Sequence, residues 1–354
     1  MATPSQIAWQ KLRRNKLAMA GLIYIVICVL AAIFAYPLAT DDSPQANDQI
    51  LSLRKLPPGT CVDILRLPQG QAPESSAFAW LTGWPRRDKP LALAPGTTPI
   101  EQGSFLEYTL WSGEKVQRKR SDFGTNPEIE KRCFTLGSDG YGRDLWSRLL
   151  LGARVSLAVG ALSVLLSLAI GLTLGLAAGY LGGWVDRVVM WFLSVMWSLP
   201  TLLLAMALSF VMGGGFWQLF VAIGLSMWVE PARMVRGEAL AVRKLPFAEA
   251  AEALGYGKWR IMWKHVLPNV FNPLIIVAVA NFGTAVLIES GLSFLGIGVA
   301  PPTPSWGRMI YEGYQFIMFE NGVWLALFPG LALILLVVSI NVLGIGLRDA
   351  LAER

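Results

Sequence analysis

EAAEALGYGKWRIMWKHVLP, at residues 249–268, is a polar stretch between two of the most apolar runs in the chain. Its first six residues are good helix formers, and Gly255 and Gly257 predict where that helix stops, because glycine adopts positive φ without a steric penalty. A second helical pattern occupies residues 258–266, and Pro268 is expected to end it. Because apolar runs flank the stretch on both sides, we predict a short helix at a membrane surface, suited to contact with a soluble partner protein.

The composition of the whole chain indicates a membrane protein. Of its 354 residues, 54% are hydrophobic and only 15% are charged, a balance that soluble proteins rarely have. The formal net charge is +6. We do not interpret this excess as a nucleic-acid site, because the cytoplasmic lysines and arginines of a membrane protein produce the same excess.

The apolar runs predict an all-α polytopic membrane protein with six transmembrane helices. A helix of about 20 apolar residues crosses roughly 30 Å of hydrocarbon. The runs occupy residues 17–36, 155–178, 188–212, 216–229, 272–298 and 323–347. The first run, preceded by basic residues, also fits a signal peptide, but it is long for one and lacks a small-x-small cleavage site before Pro37. We therefore expect an uncleaved first span with a cytoplasmic N-terminus.

The distribution of lysine and arginine predicts the orientation of the spans. With the N-terminus inside, six spans place residues 231–270 and the C-terminus in the cytoplasm. Those segments are rich in lysine and arginine. In the two short outer segments, 212–216 and 298–322, the one lysine or arginine is Arg308. This is the bias of the positive-inside rule, and it predicts a cytoplasmic loop at residues 231–270.

Residues 37–136 differ from the rest of the chain, because proline and charge are frequent there and no window could span a membrane. One strand is predicted at residues 61–67, and a hairpin is predicted within residues 105–120. We expect a small β-containing periplasmic domain between the first span, in residues 1–36, and a core of five further spans, residues 137–354.

Cys61 and Cys133 bracket this insertion, whereas Cys28 lies in the first span. In a periplasmic domain, a disulfide between Cys61 and Cys133 would close a long loop and contribute roughly 4 kcal/mol to stability. Two unpaired buried thiols are the other interpretation, and the sequence leaves both open. No cysteine spacing typical of a metal site occurs, so we expect no metal.

The stretch at residues 249–268 also resembles a known signature. The permease subunits of ABC importers carry E-A-A, three residues, G, nine residues and I-x-L-P in a cytoplasmic loop. The matching positions are Glu249, Ala250, Ala251, Gly255, Leu267 and Pro268, with Leu254 in the same turn. In that family the loop is a coupling helix that sits in a cleft of an ATPase subunit.

Residues 137–157, GSDGYGRDLWSRLLLGARVSL, resemble the run before the second span of dipeptide, oligopeptide and nickel importer permeases. The charged residues that match are Asp139, Arg143, Asp144, Arg148 and Arg154. The resemblance covers residues 137–351 and the first span, and it is strongest to the second permease of such systems. We expect residues 144–151 to form a helix in the membrane interface. We expect Arg143, Arg148 and Arg154 to pair with Asp139 and Asp144 or with a partner subunit.

The resemblance implies a type I ABC importer permease that carries di- or oligopeptides across a bacterial inner membrane. It implies a homologous second permease, two ABC ATPase subunits and an extracytoplasmic substrate-binding protein as partners. ATP and magnesium would be used by the ATPase subunits, and this chain would be non-catalytic and bind no cofactor. The absence of a G-x-x-x-x-G-K-[ST] motif from the sequence agrees with this division of labour.

Other functions remain open at this stage. The same architecture could import nickel, opines or glycosides. A secondary transporter would need no ATPase but would have internal repeats, which the sequence lacks. A membrane scaffold or receptor would use residues 37–136 to bind a ligand, with passive spans.

Several residues within the apolar runs are candidates for the pathway or for helix contacts. Glu289 either lines the path and meets a substrate amine or pairs with another helix. Pro200 predicts a kink, which serves either gating or packing. Asn281 fits an interhelical hydrogen bond or a substrate contact, and Glu230 stands at the inner end of the fourth run.

Overall fold

A computed structural model describes residues 4–68, 79–84, 88–119, 128–317 and 322–352. Most of these residues are helical. The helices are α1 Pro4–Arg14, α2 Lys16–Ile33, α3 Leu145–Leu176, α4 Gly183–Trp197, α5 Thr201–Met212, α6 Phe216–Met227, α7 Val229–Arg243, α8 Pro246–Ala253, α9 Lys258–Ile261, α10 Leu267–Phe294, α11 Trp306–Tyr314 and α12 Val323–Ala352. Shorter helical turns lie at Ala35–Leu38, Pro44–Ala46, Leu51–Leu53 and Ala79–Thr82, and π-helical turns at Ala177–Leu181 and Met262–Val266.

The predicted polytopic helical fold is confirmed. Four described stretches are long and apolar enough to cross a membrane: Lys16–Ile33, Leu145–Leu181, Lys258–Phe294 and Val323–Leu351. A fifth span results if α4 and α5, which are bent by 92° at their junction, are taken together. The junction contains Pro200, which cannot donate a backbone hydrogen bond and whose ring excludes a straight helix. The fourth predicted run, residues 216–229, corresponds to the 12-residue apolar helix α6.

The predicted interfacial helix at residues 144–151 is wrong as a separate element. Helix α3 begins at Leu145 and continues through residue 176 without a break. Arg148 and Ser147 in its first turn are buried, whereas an interfacial helix would expose its charged side. The alternation of charge and apolar residues therefore reflects buried polar contacts at the start of a long helix.

The expectation that Pro268 ends a helix is also wrong. Helix α9, the π-helical turn Met262–Val266 and α10 form one continuous stretch, Lys258–Phe294. Pro268 lies in the first turn of α10. A proline is tolerated there because the preceding wide turn changes the hydrogen-bond pattern and no helical N–H is needed.

The chain divides into two compact units. The first consists of Met1–Cys28, Ser156–Ala300 and Leu333–Arg354. Its core is formed where α7 packs against the end of α3 and the start of α10, with Val235, Ala239 and Val266 fully or nearly fully buried. Glycines at 171 and 175 on α3 and at 179 in the π-helical turn that follows it face α7, and a Cβ at residue 175 would lie 2.5 Å from a carbonyl oxygen of α7. Small residues therefore permit this close helix contact.

The second unit consists of Val29–Val155 and Pro301–Ala332 and contains both sheets. The strands are β1 Thr60–Pro68, β2 Asp88–Ala92, β3 Ile100–Gln102, β4 Phe105–Thr109, β5 Lys115–Lys119 and β6 Glu128–Phe134. The antiparallel sheets have the orders β2-β1-β6 and β3-β4-β5. The predicted strand at residues 61–67 and the predicted hairpin, β4 with β5, are confirmed.

The predicted boundary at residues 136 and 137 does not coincide with the edge of this unit, which continues to residue 155 and includes residues 301–332. The reason is hydrogen bonding across that boundary. The Leu56 N–H donates to Ser138 Oγ at 2.8 Å, and the Lys55 N–H donates to the Asp139 carbonyl at 3.1 Å. The insertion thus shares its packing with the start of α3.

Candidate functional site

Helix α8 ends in a glycine motif that fixes the direction of the following loop. Gly255 has φ +78°, and its N–H donates to the Glu252 carbonyl at 3.0 Å. The Tyr256 N–H donates to the Ala251 carbonyl at 3.1 Å. These two bonds define a Schellman cap, which requires the left-handed conformation at its glycine. A Cβ on Gly255 would meet no atom within 4 Å, so backbone conformation is the constraint at this position, not space.

The outer surface of this loop is unusually apolar for a solvent-exposed segment. Residues 252–260 are all exposed. Leu254 is 74% exposed and Trp259 is 64% exposed. Glu249 and Ala250 are exposed on the preceding turn. We call the exposed residues 249–250 and 252–260 the coupling surface; large apolar side chains exposed together mark a contact site for another protein.

The inner face of α8 packs on the core of the first unit. Ala248 and Ala251 are buried, and Ala251 contributes to the core formed with α7. Ala251, predicted as a coupling residue, therefore supports the loop from beneath and is not on its surface. Leu267 is half-buried and Pro268 is exposed, both at the start of α10.

Helix α7 connects the segment before the coupling surface to α4. The Arg236 guanidinium forms a bidentate pair with Asp186 of α4, with Nη2 at 2.8 Å from Oδ2. The Arg233 guanidinium lies over the Trp197 ring, 3.8 Å from its centroid. Bidentate pairs fix orientation as well as distance. A displacement of α7 would therefore be passed to α4, the helix that adjoins the bend at Pro200.

The charged residues near the start of α3 form a buried cluster in the second unit. Arg143 Nε is 2.6 Å from Asp139 Oδ2, and its Nη2 is 2.7 Å from Glu312 Oε2. Arg148 lies 3.6 Å from each of the same two carboxylates and is only 1% exposed. Arg308 also pairs with Glu312, at 3.1 Å. Sequence reasoning missed Glu312, because its only local signal is the four-residue spacing from Arg308.

The expected pairing of arginine with Asp144 is wrong. The Asp144 carboxylate accepts hydrogen bonds from the Ser147 N–H at 2.8 Å and from the Thr40 hydroxyl at 2.7 Å. It thereby caps the first turn of α3, a role typical of aspartate. Arg154 contacts backbone carbonyls, including those of Ala32 at 2.8 Å and Ile33 at 3.1 Å. These are carbonyls at the end of α2, where a cation is favourable.

Cys61 and Cys133 stand directly opposite each other on β1 and β6 and are joined by a disulfide with an S–S distance of 2.00 Å. Cys28 is a buried free thiol in α2. Across the described ranges, no group of three or more histidine, cysteine, aspartate or glutamate side chains could hold a metal ion.

The predicted pathway residues have different surroundings. Glu289 is fully buried, and its carboxylate accepts hydrogen bonds from Ser156 at 2.9 Å and Ser293 at 2.8 Å, so it links α10 to α3. Asn281 is buried on α10, and within the part of the chain that the structure describes its Nδ2 has no hydrogen-bond partner. Pro200 lines a cavity of about 320 Å³ that neither of these residues lines.

Sequence comparison identifies the family. Residues 171–354 match the family described as binding-protein-dependent transport system inner membrane component. The chain belongs to this family. Residues 3–58 of the permease also match the N-terminal transmembrane domain of oligopeptide transport permease C. It is thus a multi-pass permease subunit of an ABC importer, a transport component and not a catalyst.

Relatives of the permease include three transport proteins that are named for peptides or for glutathione. The glutathione transport system permease protein GsiD of Pectobacterium atrosepticum is 41% identical over 219 residues, 62% of this chain and 72% of the relative. The dipeptide transport system permease protein DppC of Alkalihalophilus pseudofirmus is 40% identical over 218 residues, 62% of this chain and 71% of the relative. A putative peptide permease of Brucella ovis is 39% identical over 251 residues, 71% of this chain and 82% of the relative.

Solved structures similar to the permease include inward-facing conformations of the MetNI methionine ABC transporter. One such chain is 22% identical, with a TM-score of 0.46, and the match covers 57% of this chain and 96% of that chain.

Proposed function

We propose that this permease imports di- or oligopeptides and forms half of the translocation pathway, the other half being a homologous second permease. The proposed cargo is supported by the relatives, which are named for glutathione, dipeptides and peptides. Nickel, opines and glycosides are the competing cargos, and uptake measurements separate them. A membrane scaffold is disfavoured because a passive anchor would not need the exposed apolar coupling surface.

The coupling surface is proposed to dock into an ATPase subunit. Exposed Leu254 and Trp259 supply apolar contact area, Glu249 supplies charge, and the cap at Gly255 holds the loop in one direction. Two ATPase subunits would use ATP and magnesium, and this chain would bind neither. Movement of the ATPase subunits would reach α4 through α7 and its Arg236–Asp186 pair.

The proposed location is the bacterial inner membrane, with both termini in the cytoplasm. Residues 37–136 would be periplasmic and would contact the extracytoplasmic substrate-binding protein. The disulfide between Cys61 and Cys133 supports this placement, because disulfides persist in oxidising compartments such as the periplasm. The basic last turn of α1 supports a cytoplasmic N-terminus.

The test is uptake of a radiolabelled tripeptide by a strain that lacks the chromosomal copy and carries a plasmid copy. Wild type should restore ATP-dependent uptake, and excess nickel or glycoside should not compete with the tripeptide. The coupling variant Leu254→Asp should reduce uptake by about tenfold, as expected for an apolar contact residue at an interface. Leu254→Met is the matched control, since it keeps an exposed apolar side chain of similar size at the same position and should retain uptake. Absence of tripeptide uptake in the wild type would contradict the proposed cargo.

A further inference from the structure

We infer that Glu230, and not Glu289, is the carboxylate that meets the N-terminal ammonium group of peptide cargo in this permease. The inference rests on the proposed function, because it names a contact for the proposed cargo. Its starting point is the cavity of about 320 Å³ in the first unit, which Glu230 lines together with Pro200 and Thr201. Cavities of 300 Å³ or more are large enough to hold a small ligand or part of a larger one.

The cavity lies beside two discontinuities in the helices of the first unit. Helix α6 ends at Met227, and α7 begins at Val229 after the single residue Trp228, whose backbone stays in the helical region. Its C-terminal residues Ser226 and Met227 line the cavity from one side. The 92° bend between α4 and α5, with Pro200, lines it from another. Discontinuous helices are elements from which transporters build substrate sites.

The polar groups of the cavity suit a cationic, hydrogen-bonding cargo. Glu230 is its one acidic lining residue, and Thr201, Ser226 and Thr284 add hydroxyl groups. Glu230 is exposed, and across the described residues its carboxylate makes no hydrogen bond or ion pair. The nearby cation on α7, Arg233, lies over the ring of Trp197. An accessible carboxylate without a partner attracts a cation, and a peptide carries an ammonium group at its N-terminus.

Glu289 does not meet these requirements. It is fully buried and accepts hydrogen bonds from the hydroxyl groups of Ser156, Ser290 and Ser293. It does not line the cavity at Pro200. A cargo amine could reach this carboxylate only by separating α3 from α10. The structure therefore assigns Glu289 to helix packing and leaves Glu230 accessible to cargo.

The experiment measures initial rates of peptide uptake into vesicles that contain the complete transporter, with the same binding protein in saturating excess throughout. One cargo is a tripeptide with a free N-terminus, and the other is the same tripeptide with an acetylated N-terminus. The variants are Glu230→Gln, which removes the charge, and Glu230→Asp, which keeps it. Glu238→Gln is the control, since it removes a carboxylate from the same helix, outside the cavity lining.

We expect Glu230→Gln to reduce transport of the free tripeptide by about threefold to fivefold, the effect of losing a solvent-accessible ion pair. Glu230→Asp and Glu238→Gln should remain within twofold of wild type. The transport rate of the acetylated tripeptide should be unchanged in Glu230→Gln, because the acetylated tripeptide has no ammonium group. Because the binding protein is the same for all variants, the ratio of the two losses reports on the permease alone.

Two results would overturn the inference: an unchanged rate for the free tripeptide in Glu230→Gln, or an equal loss for both tripeptides, which would indicate a structural role. If wild-type vesicles carry neither tripeptide, the proposed cargo itself is wrong. These outcomes separate failure of the inference from failure of the proposed function.

Discussion

Replacing Gly255 by alanine should loosen the coupling surface without altering its shape. Gly255 has φ +78°, and the left-handed conformation costs a non-glycine residue roughly 1–2 kcal/mol. Alanine also reduces the freedom of the unfolded loop, which offsets about 0.4–1 kcal/mol. The net cost is about 1 kcal/mol, because a Cβ at this position meets no atom within 4 Å and adds no clash. A cost of this size raises the open population of the loop about fivefold.

Hydrogen exchange measures this population directly. The amides of Gly255 and Tyr256 are protected by their bonds to the Glu252 and Ala251 carbonyls, so they exchange only when the cap opens. We expect exchange in a peptide covering residues 249–260 to be about fivefold faster in Gly255→Ala than in wild type. The measurement should be made on the purified permease in lipid nanodiscs.

Gly257→Ala is the matched control. Gly257 has φ −64° and ψ 143°, values that alanine adopts readily, and a Cβ there also meets no atom within 4 Å. Its exchange should therefore match that of wild type. Equal exchange rates in the two variants would show that the positive φ at residue 255 does not hold the cap.

Three further predictions concern the stability of the two units. Reduction of the Cys61–Cys133 disulfide should change the mobility of the denatured protein on a gel, and this disulfide should contribute about 4 kcal/mol to stability. Maleimide labelling of both cysteines in cells with an intact periplasm would contradict the presence of the disulfide. Gly175→Ala should lower the midpoint of thermal unfolding, because overpacking against α7 costs about 1–3 kcal/mol of stability. Gly237→Ala should leave the midpoint unchanged, because a Cβ there has open space; a larger decrease in Gly237→Ala than in Gly175→Ala would contradict this explanation. Arg148→Met should lower the free energy of unfolding by about 3 kcal/mol or more, because it removes a cation from beside the carboxylates of Asp139 and Glu312. An unchanged midpoint of thermal unfolding would show that Arg148 does not stabilise this cluster.

Helix α8 and the cap at its end were predictable because their determinants are local. Good helix formers stand before Gly255, and the glycine at that position closes a cap whose bonds reach back only a few residues. The hairpin of β4 and β5 was predictable for the same reason, since its strands are close in sequence. The apolar runs predicted the spans because length and composition alone decide whether a helix can cross a membrane.

The surroundings of the charged residues could not be predicted, because their partners are distant in sequence. Arg143 and Arg148 meet Glu312 across more than 160 residues, and nothing near either arginine indicates this. A buried charged cluster and a water-exposed helix face have similar local patterns, which is why residues 144–151 resembled an interfacial helix. For Pro268, the π-helical turn before it allows continuity that proline normally prevents.

We expect the coupling surface to bind ATPase subunits in a peptide importer, and purification of the permease from its native host measures this binding. Tagged wild-type permease, extracted in mild detergent, should bring with it a second permease and two ABC ATPase subunits, identified by mass spectrometry. Leu254→Asp should retain the second permease and lose the ATPase subunits, whereas Leu254→Met should retain all of them. Recovery of the ATPase subunits in equal amounts with Leu254→Asp and wild type would contradict binding at this surface, and their absence from the wild-type complex would contradict the binding entirely.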